Sequence, residues 1–292
     1  MFKGSGVALI TPFNENNKVD YLKLAKLIEL QIKNNTDAII ICGTTGESST
    51  LSETEKKEII NFTVEIVNKR IPVIAGTGTN NTESTIKLSK YATKIGADGL
   101  LIVTPYYNKC TQKGLYLHYK EIAESVNIPI ILYNVPSRTG VNIDVDTVLK
   151  LSKLKNIIGI KEASSNISQI SEILSKVDKD FFIYSGNDDQ IIPILALGGS
   201  GVISVLANIY PKETHEICYE FFNGNIKKAR KLQFKYLDLI KNLFVEVNPI
   251  PVKEALNYLG YNVGKCRLPL CDMDEKNKDK LMCSIDNIKM KS

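Results

Sequence analysis

Eight short apolar runs, nearly all followed by an amphipathic segment of helix length, leave few folds open to this sequence. The runs are Gly6 to Ile10, Ala38 to Cys42, Pro72 to Ala75, Gly99 to Val103, Pro129 to Tyr133, Ile157 to Lys161, Phe182 to Ser185 and Gly201 to Val205. Between them lie Tyr21 to Asn34, Ser52 to Asn68, Thr82 to Ile95, Gly114 to Val126, Val145 to Leu151, Ile167 to Val177 and Gln190 to Leu197. Strand alternating with helix implies right-handed crossovers and a parallel sheet. Eight such units are the count of a TIM (β/α)8 barrel. An open doubly wound sheet is the alternative, but its Gly-rich first strand-to-helix turn is missing.

Helix boundaries support the reading. Ser52-Glu-Thr-Glu55 has the spacing of a capping box. Asn81-Thr82-Glu83 and Ser164-Ser165-Asn166 offer further caps, and Asn68, Gly96 and Gly198-Gly199 fit C-terminal stops. After the eighth strand the alternation ends. Lys212 to Phe222, Ile226 to Leu243, Val252 to Leu259 and Asp274 to Ile288 all read as helices, with Pro251 in the first turn of the third. The expected division is a barrel over residues 1–224 and a C-terminal helical appendage over 225–292.

Composition narrows the function. With 292 residues, 43% hydrophobic and 24% charged, the chain matches an ordinary globular protein. No apolar run approaches the roughly 18 residues of a membrane span. Met1-Phe2-Lys3-Gly4 runs directly into a strand, leaving no room for a signal peptide, so a cytoplasmic protein is expected. The net charge of +5 is scattered rather than gathered on a stripe, which argues against nucleic acid as a partner. Six cysteines form no CxxC pair and read as reduced, mostly packed thiols. The two histidines, His118 and His215, stand in no metal-binding pattern, and no metal is expected.

Within this frame the run Ile157-Ile-Gly-Ile-Lys161-Glu162-Ala163 stands out. Alternation sends Ile158, Ile160 and Glu162 to one face and Gly159, Lys161 and Ala163 to the other. If the isoleucines face the helices, Lys161 points into the barrel with only small neighbours. Dehydration there favours the neutral amine, the nucleophile that Schiff-base chemistry needs. A lysine that snorkels to the rim with no chemical role is the other reading open to it.

Other unusual residues fall at the same end of the barrel. The second strand ends in Gly43-Thr44-Thr45-Gly46-Glu47, a turn whose amides can face a carboxylate, or else a plain Gly-rich turn. The fourth ends in Thr104-Pro105-Tyr106-Tyr107 and the fifth in Leu132-Tyr133-Asn134-Val135-Pro136. Tyr133 shares a face with Ile131 and can enter the cavity of Lys161, as packing or as a proton relay. Arg138 is one of only four arginines in a lysine-rich chain, which fits a two-pronged clamp on a substrate carboxylate, though a surface role is also open. Gly76-Thr-Gly78 lacks the third glycine of a dinucleotide fingerprint. Gly198-Gly-Ser-Gly201 precedes the eighth strand, at the opposite end from Lys161. No cofactor is expected.

GTTGES at Gly43 to Ser48, TPYYN at Thr104 to Asn108, YNVPSRTG at Tyr133 to Gly140 and GIKEAS at Gly159 to Ser164 together resemble the dihydrodipicolinate synthase family. These are the 4-hydroxy-tetrahydrodipicolinate synthases, within the pyruvate-dependent class I aldolases. The resemblance runs through the barrel and includes Phe244 to Val252 (FVEVNPIPV). It implies that Lys161 forms an imine with pyruvate, whose enamine attacks L-aspartate 4-semialdehyde in lysine and diaminopimelate biosynthesis. It further implies a proton relay of Tyr133, Thr44 and Tyr107, with Tyr107 supplied by a neighbouring subunit of a homotetramer. Thr45 then matches the pyruvate-carboxylate contact and Arg138 the clamp on the semialdehyde. Gly186 and Ile203 offer backbone groups to the site. N-acetylneuraminate lyase, related sugar-acid aldolases and a regulatory pyruvate-binding barrel are the competing readings. The first of these lacks an arginine matching Arg138. Ser48, Asn80 and Tyr106 match positions that bind inhibitory lysine in sensitive members. Glu53, Lys56 and Ser84 depart from that pattern, so insensitivity to lysine is expected.

Overall fold

The computed structural model describes residues 1–290; the last two residues of the expected appendage lie outside the described residues. The chain begins with β1 (Gly4–Ala8), α1 (Tyr21–Lys33), β2 (Ala38–Ile41), α2 (Glu53–Val67), β3 (Val73–Gly76), α3 (Thr82–Lys94), β4 (Gly99–Val103) and α4 (Gln112–Ser125). It continues with β5 (Ile130–Asn134), the short α5 (Pro136–Thr139), α6 (Val145–Leu151), β6 (Ile157–Glu162), α7 (Ile167–Lys176), β7 (Phe182–Ser185), α8 (Ile191–Ala196) and β8 (Gly201–Ser204). Then follow α9 (Pro211–Phe222), α10 (Ile226–Asn242), α11 (Ile250–Tyr258) and α12 (Glu275–Met290). The eight strands pair in sequence order, all parallel, and β1 pairs with β8 to close the barrel.

Alternation explains the two layers of the core. Ala38, Ile40, Ile74, Leu101, Ile131, Tyr133, Tyr184 and Ile203 fill the inside of the barrel. Ile39, Ile41, Val73, Leu100, Ile102, Leu132 and Ile160 face outward and pack with the apolar stripes of the helices. Phe2 stacks on Tyr184 with ring centres 4.4 Å apart, and the Tyr184 hydroxyl donates to the Phe2 carbonyl at 2.7 Å. This plug closes the N-terminal end, which leaves the other end for chemistry. At the closing seam a Cβ on Gly201, whose φ is +148°, would sit 1.9 Å from the Gly4 carbonyl oxygen. Only glycine fits there.

Strand edges differ from the sequence reading by a residue or two, for identifiable reasons. Pro72 and Pro129 have no N–H, so β3 and β5 begin one residue later, while their carbonyls accept from Ile39 and Leu100. Beyond β1, the Ile10 amide donates to the Asn208 side chain at 3.0 Å instead of to a neighbouring strand. The Val205 amide likewise leaves β8 for Asp188. The capping box at Ser52 and Glu55 forms, Asn81 and Asn166 cap their helices, and Asn68 takes the left-handed conformation after α2. Ser164 instead donates to the Glu162 carboxylate. α4 starts earlier than expected because Thr111 caps it. Of the cysteines, Cys42 and Cys218 are buried, while Cys271 and Cys283 are exposed. The expectation of mostly packed thiols therefore fails for these last two, both in the appendage.

α9 lies across the β1–β8 seam, and α10 packs on α9 and α12. Among the described residues no helix is long and apolar enough to cross a membrane.

Candidate active site

Lys161 stands at the end of β6, level with Tyr133 on β5 and Tyr184 on β7. It points into the barrel and is only 5% exposed. Its Nζ lies 4.4 Å from the centre of the Tyr133 ring. The snorkelling alternative fails on this burial. Small residues keep room beside the amine: Ala163 follows on the same face, and a Cβ on Gly186 would meet the Ala163 Cβ at 2.6 Å. The Gly186 amide donates to the Glu162 carbonyl at 2.7 Å. Ile203 lies opposite Gly6 at the end of β8, its side chain in the barrel lining.

The turn after β2 forms a second wall. Thr45 is buried, and Thr44 is half-buried beside it. Two amides of the turn are already used, Glu47 on the Thr44 carbonyl and Ser48 on the Gly43 carbonyl. Glu47 holds a left-handed φ of 57°, a strained conformation for a residue with a side chain. The strain is held from below. Its buried carboxylate accepts from Lys253 Nζ at 2.7 Å and from the Arg267 amide at 2.9 Å. Both come from the appendage.

Arg138, on the short α5, is exposed and has no carboxylate within salt-bridge reach among the described residues. Its Nη2 donates to the Asn248 carbonyl at 3.1 Å. The Asn248 side chain in turn donates to Thr45 Oγ1 at 2.9 Å. Thr45 and Arg138 are thus joined through one appendage residue. Tyr107 is different: it is 92% exposed, with a φ of 71°, and does not pack with the others within this chain.

Three buried polar residues were not singled out from the sequence. Glu162 lies on the outward face of β6 and is fully buried, accepting from Asn134 Nδ2 at 2.5 Å. Burial raises its carboxyl pKa, with the Ser164 and Asn134 hydrogen bonds pulling the other way. Asn134 and Glu162 are register partners, one step beyond Tyr133 and Lys161. Asp188, buried past β7, accepts from the Val205 and Leu206 amides at 3.0 and 2.9 Å. The signal for Glu162 was available, since a carboxylate on the isoleucine face of a strand needs a buried partner.

A cleft of about 860 Å³ between the β1–α1 loop and the appendage is lined by Phe13, Asn17, Lys23, Asn257 and Lys265 and contains none of these residues. Among the described residues no three His, Cys, Asp or Glu side chains come together in a way that could hold a metal ion.

The profile of the Dihydrodipicolinate synthetase family matches residues 1–288. The chain belongs to this family. It is 60% identical over 277 residues to a 4-hydroxy-tetrahydrodipicolinate synthase of Clostridium perfringens strain SM101, covering 95% of each chain. To the synthase of that name from Clostridium novyi strain NT it is 57% identical over 287 residues, covering 98% of this chain and 97% of the relative. The crystal structure of a dihydrodipicolinate synthase from Aquifex aeolicus superposes with a TM-score of 0.97 at 48% identity, covering 99% of this chain and 98% of that one. The closed barrel expected of a dihydrodipicolinate synthetase is present throughout, with its appendage.

Proposed function

We propose that this chain condenses pyruvate with L-aspartate 4-semialdehyde to give 4-hydroxy-tetrahydrodipicolinate, through a Schiff base on Lys161. The observation that carries the reading is a buried amine at the C-terminal end of a barrel strand, 4.4 Å from a tyrosine ring, in a member of this family. The Lys161 amine adds to the pyruvate keto carbon, water leaves, and the imine loses a methyl proton to become an enamine. Its carbon attacks the aldehyde, whose oxygen takes a proton. The substrate amine then closes the ring and expels Lys161.

Each remaining residue has a place in that sequence. Tyr133 and Thr44 pass protons at the imine, with Tyr107 completing the relay in a neighbouring subunit. An exposed tyrosine on a left-handed backbone suits that donation, and a homotetramer supplies it. Thr45 donates to the pyruvate carboxylate, and Arg138 clamps the semialdehyde. Gly186 and Ile203 present main-chain groups. Residues 1–224 form the reacting barrel and residues 225–292 the appendage that supports it, in a cytoplasmic enzyme.

Reduction with borohydride in the presence of pyruvate tests the reading. One reduced adduct per chain, mapped to Lys161, is expected. No mass change, or an adduct on another lysine, overturns it.

A further inference from the structure

The run Phe244 to Val252 belongs to the family resemblance, yet the reaction gives it no part. At its centre Asn248 is 5% exposed and touches both groups assigned to the substrate carboxylates. Its side-chain amide donates to Thr45 Oγ1 at 2.9 Å, and its carbonyl accepts from Arg138 Nη2 at 3.1 Å. The residue is itself held: on either side of it, the Ile250 amide donates to the Val247 carbonyl and the Lys253 amide to the Pro249 carbonyl.

We propose that Asn248 is a positioning residue that sets Thr45 and Arg138 as one unit and directs the Thr45 proton toward the substrate. The inference rests on the reaction proposed above. A hydroxyl has one proton and two lone pairs. Accepting from the Asn248 amide occupies a lone pair and leaves the proton free to be donated to a carboxylate. With the amide oxygen turned toward Thr45, that proton would be consumed within the protein. The Asn248 side-chain oxygen is buried and unpaired among the described residues, a cost that packing alone gives no reason to carry. The main-chain contact to Arg138 works differently. A neutral carbonyl aims the guanidinium without neutralising the charge that grips the second substrate.

Two variants test this, with active sites counted by borohydride trapping so that misfolded chains do not enter the rates. Asn248→Asp replaces the donor by an acceptor and sets a negative charge between the two carboxylate contacts. Above neutrality it is expected to raise KM for both pyruvate and the semialdehyde by about tenfold or more, with kcat much less affected. As pH falls the carboxyl protonates and donates again, so the KM ratio to the parent closes. Burial raises such a carboxyl pKa, which brings the closure toward neutral pH. Asn248→Ala raises both KM values without that pH dependence. Both KM values staying within about twofold of the parent, a fall in kcat alone, or an Asp penalty independent of pH overturns the proposal. If the parent is not trapped by pyruvate, the reaction assigned above falls, and this inference with it. Trapping of the parent with unchanged KM values in the variants removes this inference alone.

Discussion

Lys253 and Glu47 form a buried ion pair 2.7 Å long between residues more than two hundred positions apart, one in the appendage and one in the turn that carries Thr44 and Thr45. Neither side chain is more than 2% exposed. Burial pulls the Lys253 pKa down, with Glu47 opposing it. The ammonium also lies 4.1 Å from the centre of the Phe13 ring. Removing one partner leaves the other charge buried without its counter-charge, which costs about 3–5 kcal/mol. Lys253→Met is expected to lower the urea midpoint accordingly, and adding Glu47→Gln to recover most of the loss. A single-variant loss under about 1 kcal/mol would be the value of a surface pair and would contradict the burial argument.

Arg138 faces solvent, and among the described residues its side chain donates to a main-chain oxygen and pairs with no carboxylate, so its removal leaves no buried charge behind. Arg138→Ala is expected to lower kcat/KM for the semialdehyde by a few kcal/mol, since hydrogen bonds to charged groups run roughly 1.5–3 kcal/mol each. The pyruvate adduct on Lys161 should form nearly as in the parent. Initial rates with each substrate varied separate the two effects. Comparable activity of the parent on N-acetylneuraminate and on the semialdehyde would contradict the assignment of Arg138.

The two histidines give acid stability opposite slopes. Burial depresses the His118 pKa from 6.5 to about 4, with Thr82 Oγ1 at 2.9 Å from its Nδ1. Below pH 6.5 the unfolded chain takes up the proton first, so stability falls as pH drops from 6.5 to about 4. The loss is on the order of 3 kcal/mol. The Asp37 hydrogen bond raises the His215 pKa, so its contribution is full below 6.5 and fades as pH rises through the folded value. His118→Gln should flatten the acid limb of stability against pH, and His215→Gln should not. Melting curves across that range decide it, and an unchanged acid limb in His118→Gln refutes the assignment.

In the lysine-sensitive members that the sequence resembles, a carboxylate grips the inhibitor's amino groups, and Ser84 stands at its position here. Glu53 is one of the departing positions and Glu83 stands next to another, Ser84, but both are engaged, Glu53 with Lys57 at 2.6 Å and Glu83 with Lys87 at 2.7 Å. Lys56 adds a cation that burial pushes toward a lower pKa. Like charges at close range repel in any plausible dielectric. Millimolar lysine is expected to leave the initial rate nearly unchanged, and strong inhibition would show that one of these carboxylates exchanges its partner.

The barrel was legible because Val, Ile and Leu runs alternate with capped helices, and each Ile at 39, 40 and 41 has one face to choose. Lys161 was legible for the same reason, since Gly159 and Ala163 share its face. Asn248 was not. Its partners Thr45 and Arg138 lie far from it in sequence, and no local period announces a contact closed by the appendage. Tyr107 is the converse case, visible as a motif and left exposed by a single chain.

The anchoring of Thr45, Glu47 and Arg138 from the appendage has a consequence for synthesis. A chain emerges from the ribosome N-terminus first. Once α9 is out, every strand of the barrel exists, but Asn248, Lys253 and Arg267 do not. At that stage the Glu47 turn lacks the Lys253 counter-charge and Arg138 lacks the Asn248 carbonyl. The contacts that set the carboxylate-binding turn and aim Arg138 are therefore the last to be made in synthesis, after every strand of the barrel.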